Sequence, residues 1–181
     1  MIRRIKMHIQ WMLRARFFGI RFFRRAWFRP PKHITASRCE MELAYDSNEE
    51  RNVCLVLFEN FVDDQYGLSV LKGPITTIAD IGANIGCFTL AAKGYFPAST
   101  IHAYEPNPRI LPVLQRNVTK TGACVFPEAV GAAGGYVKMI DDTFSGSAGT
   151  ESVAASPQAI PQVSLEKVNL TVERRNRPAE D

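Results

Sequence analysis

The 181-residue chain is long enough for one domain with a buried core, and its 46% apolar and 22% charged residues are ordinary for a globular protein. Its formal net charge of +4 is unevenly divided: residues 1–38 hold eleven Lys and Arg and no acid, whereas residues 39–181 hold eleven bases against eighteen acids. That division argues against a nucleic-acid-binding body, and four scattered cysteines (Cys39, Cys54, Cys87, Cys124) with three dispersed histidines argue against a disulfide framework or a metal site. Reduced thiols in a cytoplasmic protein are the expectation.

In chain order, Met1 to Arg29 reads as a helix. Ile2, Ile5, Ile9, Met12, Leu13, Ile20, Phe23 and Trp27 fall on one side at helical intervals, and Arg3, Arg14, Arg21, Arg25 and Arg29 fall roughly opposite, with Arg16 breaking the pattern. Pro30-Pro31 ends it. No apolar run approaches the ~20 residues that span a bilayer, and arginines interrupt any secretory-signal core. A basic amphipathic arm over residues 1–38 with two Trp and many Phe suits peripheral contact with an anionic membrane through residues 1–29. A solvated or partner-bound tail and an organellar presequence are the alternatives.

The body covers residues 39–168 and a polar tail residues 169–181. Residues 47–62 read as a helix capped by Ser47, with Glu49 and Glu50 in its first turn and Val53, Leu57 and Phe61 on one face. Thr76 to Asp80 is a short strand, Ile85 to Lys93 a helix, and Ser99 to Tyr104 the next strand. Asn107 as cap and Pro108 at the first helical position open a helix with Ile110, Leu111, Leu114 and Val118 buried, and Gly122 follows its end. Ala123 to Phe126 is a third strand. Residues 128–140 suggest a hairpin turning near Gly134-Gly135, residues 145–161 a loop rich in small residues, and Val163 to Val168 one more short strand. Asn117-Val-Thr119 and Asn169-Leu-Thr171 match the glycosylation tripeptide, which carries no weight without a secretory signal. Alternating strands and helices with right-handed crossovers predict an α/β fold with a parallel sheet.

The chemistry concentrates in Asp80-Ile-Gly82-Ala83-Asn84-Ile-Gly86, at a strand-to-helix turn where open parallel sheets bind ligands. Gly82 and Gly86 let a ligand approach the backbone, and Glu105 ends the next strand, where an acid accepts hydrogen bonds from ribose hydroxyls. A dinucleotide fingerprint, Gly-x-Gly-x-x-Gly, has a glycine where this chain has Asp80. A carboxylate there repels a pyrophosphate and suits a cationic sulfonium donor, which favours S-adenosylmethionine over NAD. His102, in mid-strand, reads as structural.

The run from Asp80 to Leu90, followed by Ala103-Tyr104-Glu105-Pro106-Asn107-Pro108, resembles the FkbM methyltransferase family, in which the pattern is D-x-G-A-N-x-G-x-x-(S/T)-L and then a-(F/Y)-E-P-x-P. Ala129-Val130-Gly131 and Val163-Ser164-Leu165-Glu166 are similar to two further segments of that family. The resemblance covers roughly residues 73–168 and implies a Rossmann-like class I methyltransferase sheet. It also implies that Asp80, Gly82, Ala83, Asn84 and Gly86 line the methionine and ribose portion of S-adenosylmethionine, that Glu105 holds the ribose, that Pro106 and Asn107 flank the adenosine, and that Glu128 and Ala129 lie near the adenine. The implied acceptor is a hydroxyl of a small molecule, sugar or other glycan. The family's K-x-D-x-E-G strand does not follow Val168, and Asp141-Asp142 does not replace it. The expectation is therefore an incomplete sheet whose first strand is left as an open edge, with no catalytic residue assigned. A catalytically inactive remnant and a membrane-surface module are the competing readings.

Overall fold

The computed structural model describes residues 2–45, 50–140 and 149–168. The expected Ser47 cap, Glu49, Asp141-Asp142, residues 145–148 of the expected loop and the tail from residue 169 lie outside them. The architecture is mixed α/β. Helix α1 (Ile2–Phe17) leads into a hairpin of β1 (His33–Ala36) and β2 (Cys39–Glu42), then α2 (Glu50–Leu57). Strand β3 (Thr77–Ile81), helix α3 (Cys87–Tyr95), strand β4 (Thr100–Tyr104), helix α4 (Leu111–Val118) and strand β5 (Cys124–Phe126) follow. These three strands form a parallel sheet in the order β3-β4-β5, with Ala79 opposite His102 and Ala103 opposite Val125. The arrangement is compatible with half of a Rossmann-like sheet. β3 pairs only with β4 among the described residues, so its outer edge is open.

A second sheet departs from expectation. It has the order β6-β9-β7-β8, formed by Ala129–Gly131, Ile160–Ser164, Gly135–Ile140 and Gly149–Val153 respectively. Residues 128–140 are therefore not a hairpin, because β9 inserts between β6 (parallel) and β7 (antiparallel). The hairpin partner of β7 is β8, within the segment read as a loop, and the last strand begins at Ile160 rather than Val163 and gives way to a helical turn at 165–168. Small Gly, Thr and Ser residues imitate a loop in composition, but β7 supplies the partner that makes them a strand. Tyr104 stacks on Phe126 at 4.7 Å, and Tyr104, Val163 and Val168 share a small core that joins the two sheets.

The N-terminal segment is built into the main core. The helix stops at Phe17, well short of Arg29: Gly19 adopts φ +68°, and the chain turns so that Phe18, Ile20 and Phe28 are buried with Val53, Leu57, Phe61 and Leu90. The face of α1 that meets the body is not the side of Ile5, Ile9, Met12 and Leu13. Trp11 donates from Nε1 to Asp63 Oδ1 at 2.7 Å, Arg14 donates to the Asp63 carbonyl at 2.8 Å and lies 3.5 Å from the Asp64 carboxylate, and Ala15 is fully buried. Ile5, Ile9, Met12 and Leu13, on the opposite side, are 45–62% exposed.

Asp63 and Asp64 are brought to this contact by a π-helical extension of α2 (Phe58–Asp63), which turns Phe58, Phe61 and Val62 inward. Asp64 then takes a left-handed conformation, and its carboxylate accepts from the Leu68 and Ser69 amides and the Ser69 hydroxyl. Phe18 sits against Gly94 of α3, where a Cβ would lie 2.5 Å from its ring edge. Contacts with Phe17, Phe61 and Tyr95 prevent that ring from swinging aside. Gly94→Val is expected to lower stability by roughly 1–3 kcal/mol through overpacking, read as a lower urea midpoint with a diminished near-ultraviolet aromatic signal. An unchanged midpoint would show that the N-terminal segment is not seated there.

Candidate functional site

The site is assembled where β3 and β4 end. The Tyr104 carbonyl accepts from both Gly82 N–H and Ala83 N–H at 2.9 Å, which folds the glycine turn over the end of β4. Glu105 follows, 6% exposed, and its carboxylate does two things. Oε2 accepts from the Asn84 amide and Oε1 from the Asn107 amide, both at 2.8 Å. One side chain thus ties the loop after β3 to the loop after β4. Each carboxylate oxygen retains a further lone pair for a ligand hydroxyl.

The turn residues divide the work. Gly82 has φ +78° and nothing within 4 Å of a would-be Cβ, so it leaves an open approach to the backbone. Gly86, at φ +91°, faces inward, where a Cβ would lie 2.8 Å from Val118 and 3.0 Å from Leu114. Its glycine is demanded by the packing of α3 on α4. Asn84 is left-handed at φ 49°, a conformation asparagine tolerates better than most residues, and its Oδ1 accepts from Ile85 N–H at 2.7 Å. It orders the turn without capping the helix, since Gly86 holds the cap position. Ala83 is buried with Ala103, Leu114 and Val118 beneath the turn.

Asp80 is buried, and its carboxylate accepts from the Thr89 hydroxyl at 2.5 Å. Burial raises its pKa from the usual 3.8 to about 6; the hydrogen bonds to Thr89 oppose the rise and the Glu105 charge adds to it. Asp80 is therefore a strained anion held close beneath the turn. Burial likewise pushes the Cys87 thiol up, which makes it an inert core residue, and none of the four cysteines forms a disulfide. Among the described residues no group of three or more metal-ligating side chains is found.

The second loop starts its helix later than expected. Asn107 Oδ1 accepts from Arg109 N–H and its carbonyl from Ile110 and Leu111, so Asn107 and Pro108 form a turn and α4 begins at Leu111. Pro106 is half-buried beside Glu105 in this loop. Ala129 opens β6 opposite Gln162 and is buried, with half-buried Glu128 just before it, after β5. His102 is fully buried within β4, its ring tilted against Phe126. A cavity of about 300 Å³ is lined by Arg25, Phe28, Asn52, Cys54, Leu55 and Phe58 and includes no residue of the turn.

One positioning residue escapes sequence reasoning. Asn117 of α4 is 2% exposed and donates from Nδ2 to the carbonyls of Ile85 (2.7 Å) and Ala44 (3.0 Å), while its Oδ1 accepts from Ala44 N–H (2.7 Å). It buttresses the glycine turn from behind and is no glycosylation acceptor. The available signal is its place three residues after Leu114, on the face α4 buries, where a polar side chain needs partners.

Two outcomes follow. Asn117→Leu takes the side-chain partner from three half-buried backbone groups and is expected to cost roughly 1–3 kcal/mol by urea denaturation. Asp80 acts in the opposite sense. Because its folded pKa is raised, its contribution to stability is fully present below the unfolded value of 3.8 and is lost as pH rises through about 6. Asp80→Asn, which keeps an acceptor for Thr89, is therefore expected to raise the ligand-free melting temperature at neutral pH and to flatten its fall between about pH 4 and about pH 6. Unchanged pH dependence would remove Asp80 as the source.

No protein-family model matches the chain. It is similar in sequence to "Methyltransferase sdnD" of Sordaria araneosa, with 34% identity over 121 residues, covering 66% of this chain and 40% of that protein. It is also 42% identical over 60 residues to "Methyltransferase 1" of Beauveria bassiana (strain ARSEF 2860), covering 33% of this chain and 24% of that protein. The chain thus spans at most two-fifths of the length of these relatives, both of which are named methyltransferases.

Proposed function

We propose that the turn Asp80–Gly86 and Glu105 bind S-adenosylmethionine, and that the protein transfers its methyl group to a hydroxyl oxygen, as the resemblance to FkbM methyltransferases implies. The observation that carries the reading is the Glu105 clamp, with a buried acid, Asp80, beneath a turn whose Gly82 is open to approach. The relationship to two proteins named methyltransferases supports it. S-adenosylmethionine, when bound, supplies an electrophilic methyl on a positively charged sulfur.

The chain's own residues fit such a group. Glu105 has lone pairs left for two ribose hydroxyls after its two backbone bonds. Gly82 admits the ligand to backbone distance. Asp80 carries negative charge that burial makes costly, so a nearby cation relieves it, whereas a diphosphate would add to it. Pro106 and Asn107 flank the adenosine in this reading, and Glu128 and Ala129 stand near the adenine. The acceptor is a small molecule or glycan, and removal of its proton falls to a base outside these residues.

Calorimetric titration tests the reading. The chain is expected to bind S-adenosylhomocysteine and not NAD, and Glu105→Ala is expected to weaken binding by roughly tenfold to a hundredfold through the loss of charge-assisted hydrogen bonds. Wild-type affinity in that variant, with the fold intact by circular dichroism, would take Glu105 out of the ribose site. Asp80 adds a pH signature. A cation nearby draws its pKa down, so affinity for S-adenosylmethionine is expected to rise roughly tenfold from about pH 5 to about pH 8. S-adenosylhomocysteine, which lacks the sulfonium charge, is expected to show a much weaker dependence. Equal slopes for the two ligands would exclude a charge contact.

A further inference from the structure

We infer that the outer face of α1 is a docking surface for an anionic lipid membrane, on which the protein lies with the helix in the headgroup layer. Ile5, Ile9, Met12 and Leu13 follow one another at helical spacing and are 52%, 50%, 45% and 62% exposed, on the side of the helix opposite Trp11, Arg14 and Ala15. The packing that seats α1 on the body therefore fixes this apolar strip outward. Scattered exposed apolar residues need no explanation, but a contiguous strip along one helix does.

Charge selects the occupant. α1 carries Arg3, Arg4, Lys6, Arg14 and Arg16 and no acid, and Lys6 and Arg16 stand exposed beside or within the apolar strip. Arg16 falls between Ile5 and Ile9 in helical projection, one turn or more further along. Against an apolar protein surface its guanidinium would be buried unpaired. At a lipid headgroup layer its alkyl stem lies among the apolar side chains while the guanidinium reaches phosphate. A second copy of the chain is disfavoured for a related reason, since pairing two such faces would bring Lys6 and Arg16 of each helix together with no acid of α1 between them.

The segment after the helix has the same character. Phe23 and Trp27 are 62% and 64% exposed and stack on each other at 5.7 Å, with the Arg24 guanidinium over both rings. Exposed aromatic rings beside arginine are the side chains that settle at a membrane–water boundary. At 16 residues, α1 is about 24 Å long, and no helix among the described residues is long and apolar enough to cross a membrane, so contact is along the surface.

Co-sedimentation of the full chain with vesicles tests the inference. One preparation is phosphatidylcholine alone, and the other contains about 30 mol % phosphatidylserine. Binding is expected with the second only and is expected to weaken with salt. Ile9→Asp/Leu13→Asp and Lys6→Glu/Arg16→Glu alter only outward-facing side chains, and each pair is expected to reduce partitioning roughly tenfold or more, with near-ultraviolet circular dichroism reporting an unchanged core. Wild-type protein remaining in the supernatant would overturn the inference, as would equal partitioning of the Ile9→Asp/Leu13→Asp protein. So would sedimentation equilibrium showing a dimer that this substitution makes monomeric while vesicles bind neither form.

Discussion

The site rests on one carboxylate. Glu105 sits where β4 ends and the chain must turn, and it spends one oxygen on the loop after β3 and the other on its own loop. The Tyr104 carbonyl beside it accepts twice from the glycine turn, so the register of β3 against β4 is carried into loop geometry through one dipeptide. A buried anion solvated by backbone amides is a stable arrangement, because each amide would otherwise need a partner of its own. Its consequence is order in both loops, which are held by hydrogen bonds to Glu105 and Tyr104 while Asn117 fixes the turn from the helix side.

Much of this was legible in the sequence, and the boundary between what was and was not is physical. The parallel strands and α3 emerge because short β-rich runs ending in Asp80 and Tyr104 alternate with apolar helical stretches. All of their partners are local in sequence or adjacent in the sheet. The second sheet was not legible. β8 has no apolar alternation of its own, and the pairing of β9 between β6 and β7 depends on contacts with no local signature. The two glycines show the same boundary within the site. Both announce a special turn, yet only the fold separates Gly82, which faces open space, from Gly86, which faces Leu114 and Val118.

The N-terminal segment shows a true periodicity whose apolar side is not the one the body holds. Ile5, Ile9, Met12 and Leu13 do form a face, but the body takes hold of α1 through the opposite one, where Trp11 and Arg14 meet Asp63 and Asp64. An acidic body and a basic helix account for this choice. The carboxylate of Asp64 is already ordered by the Leu68 and Ser69 amides, so Arg14 meets a preformed site and little further entropy is lost on the aspartate side. The anchoring apolar residues then come from beyond the helix, with Phe18, Ile20 and Phe28 entering the core once Gly19 turns the chain.

Asp80 shows why a ligand site and a stable fold pull against each other. A carboxylate enclosed beneath a turn, with a second acid nearby and only the Thr89 hydroxyl and amide for support, costs folding free energy at neutral pH. An asparagine would satisfy Thr89 equally well and remove that cost. Nothing in the packing of β3 on α3 calls for negative charge, since Thr89 asks only for an acceptor. In the proposed function the charge becomes useful when a cation arrives, and the energy withheld from the ligand-free fold is then returned as affinity. In the proposed reading a neutral or anionic ligand would recover none of it, and the same buried acid that weakens the empty domain would discriminate among adenosine-bearing ligands by the charge they carry.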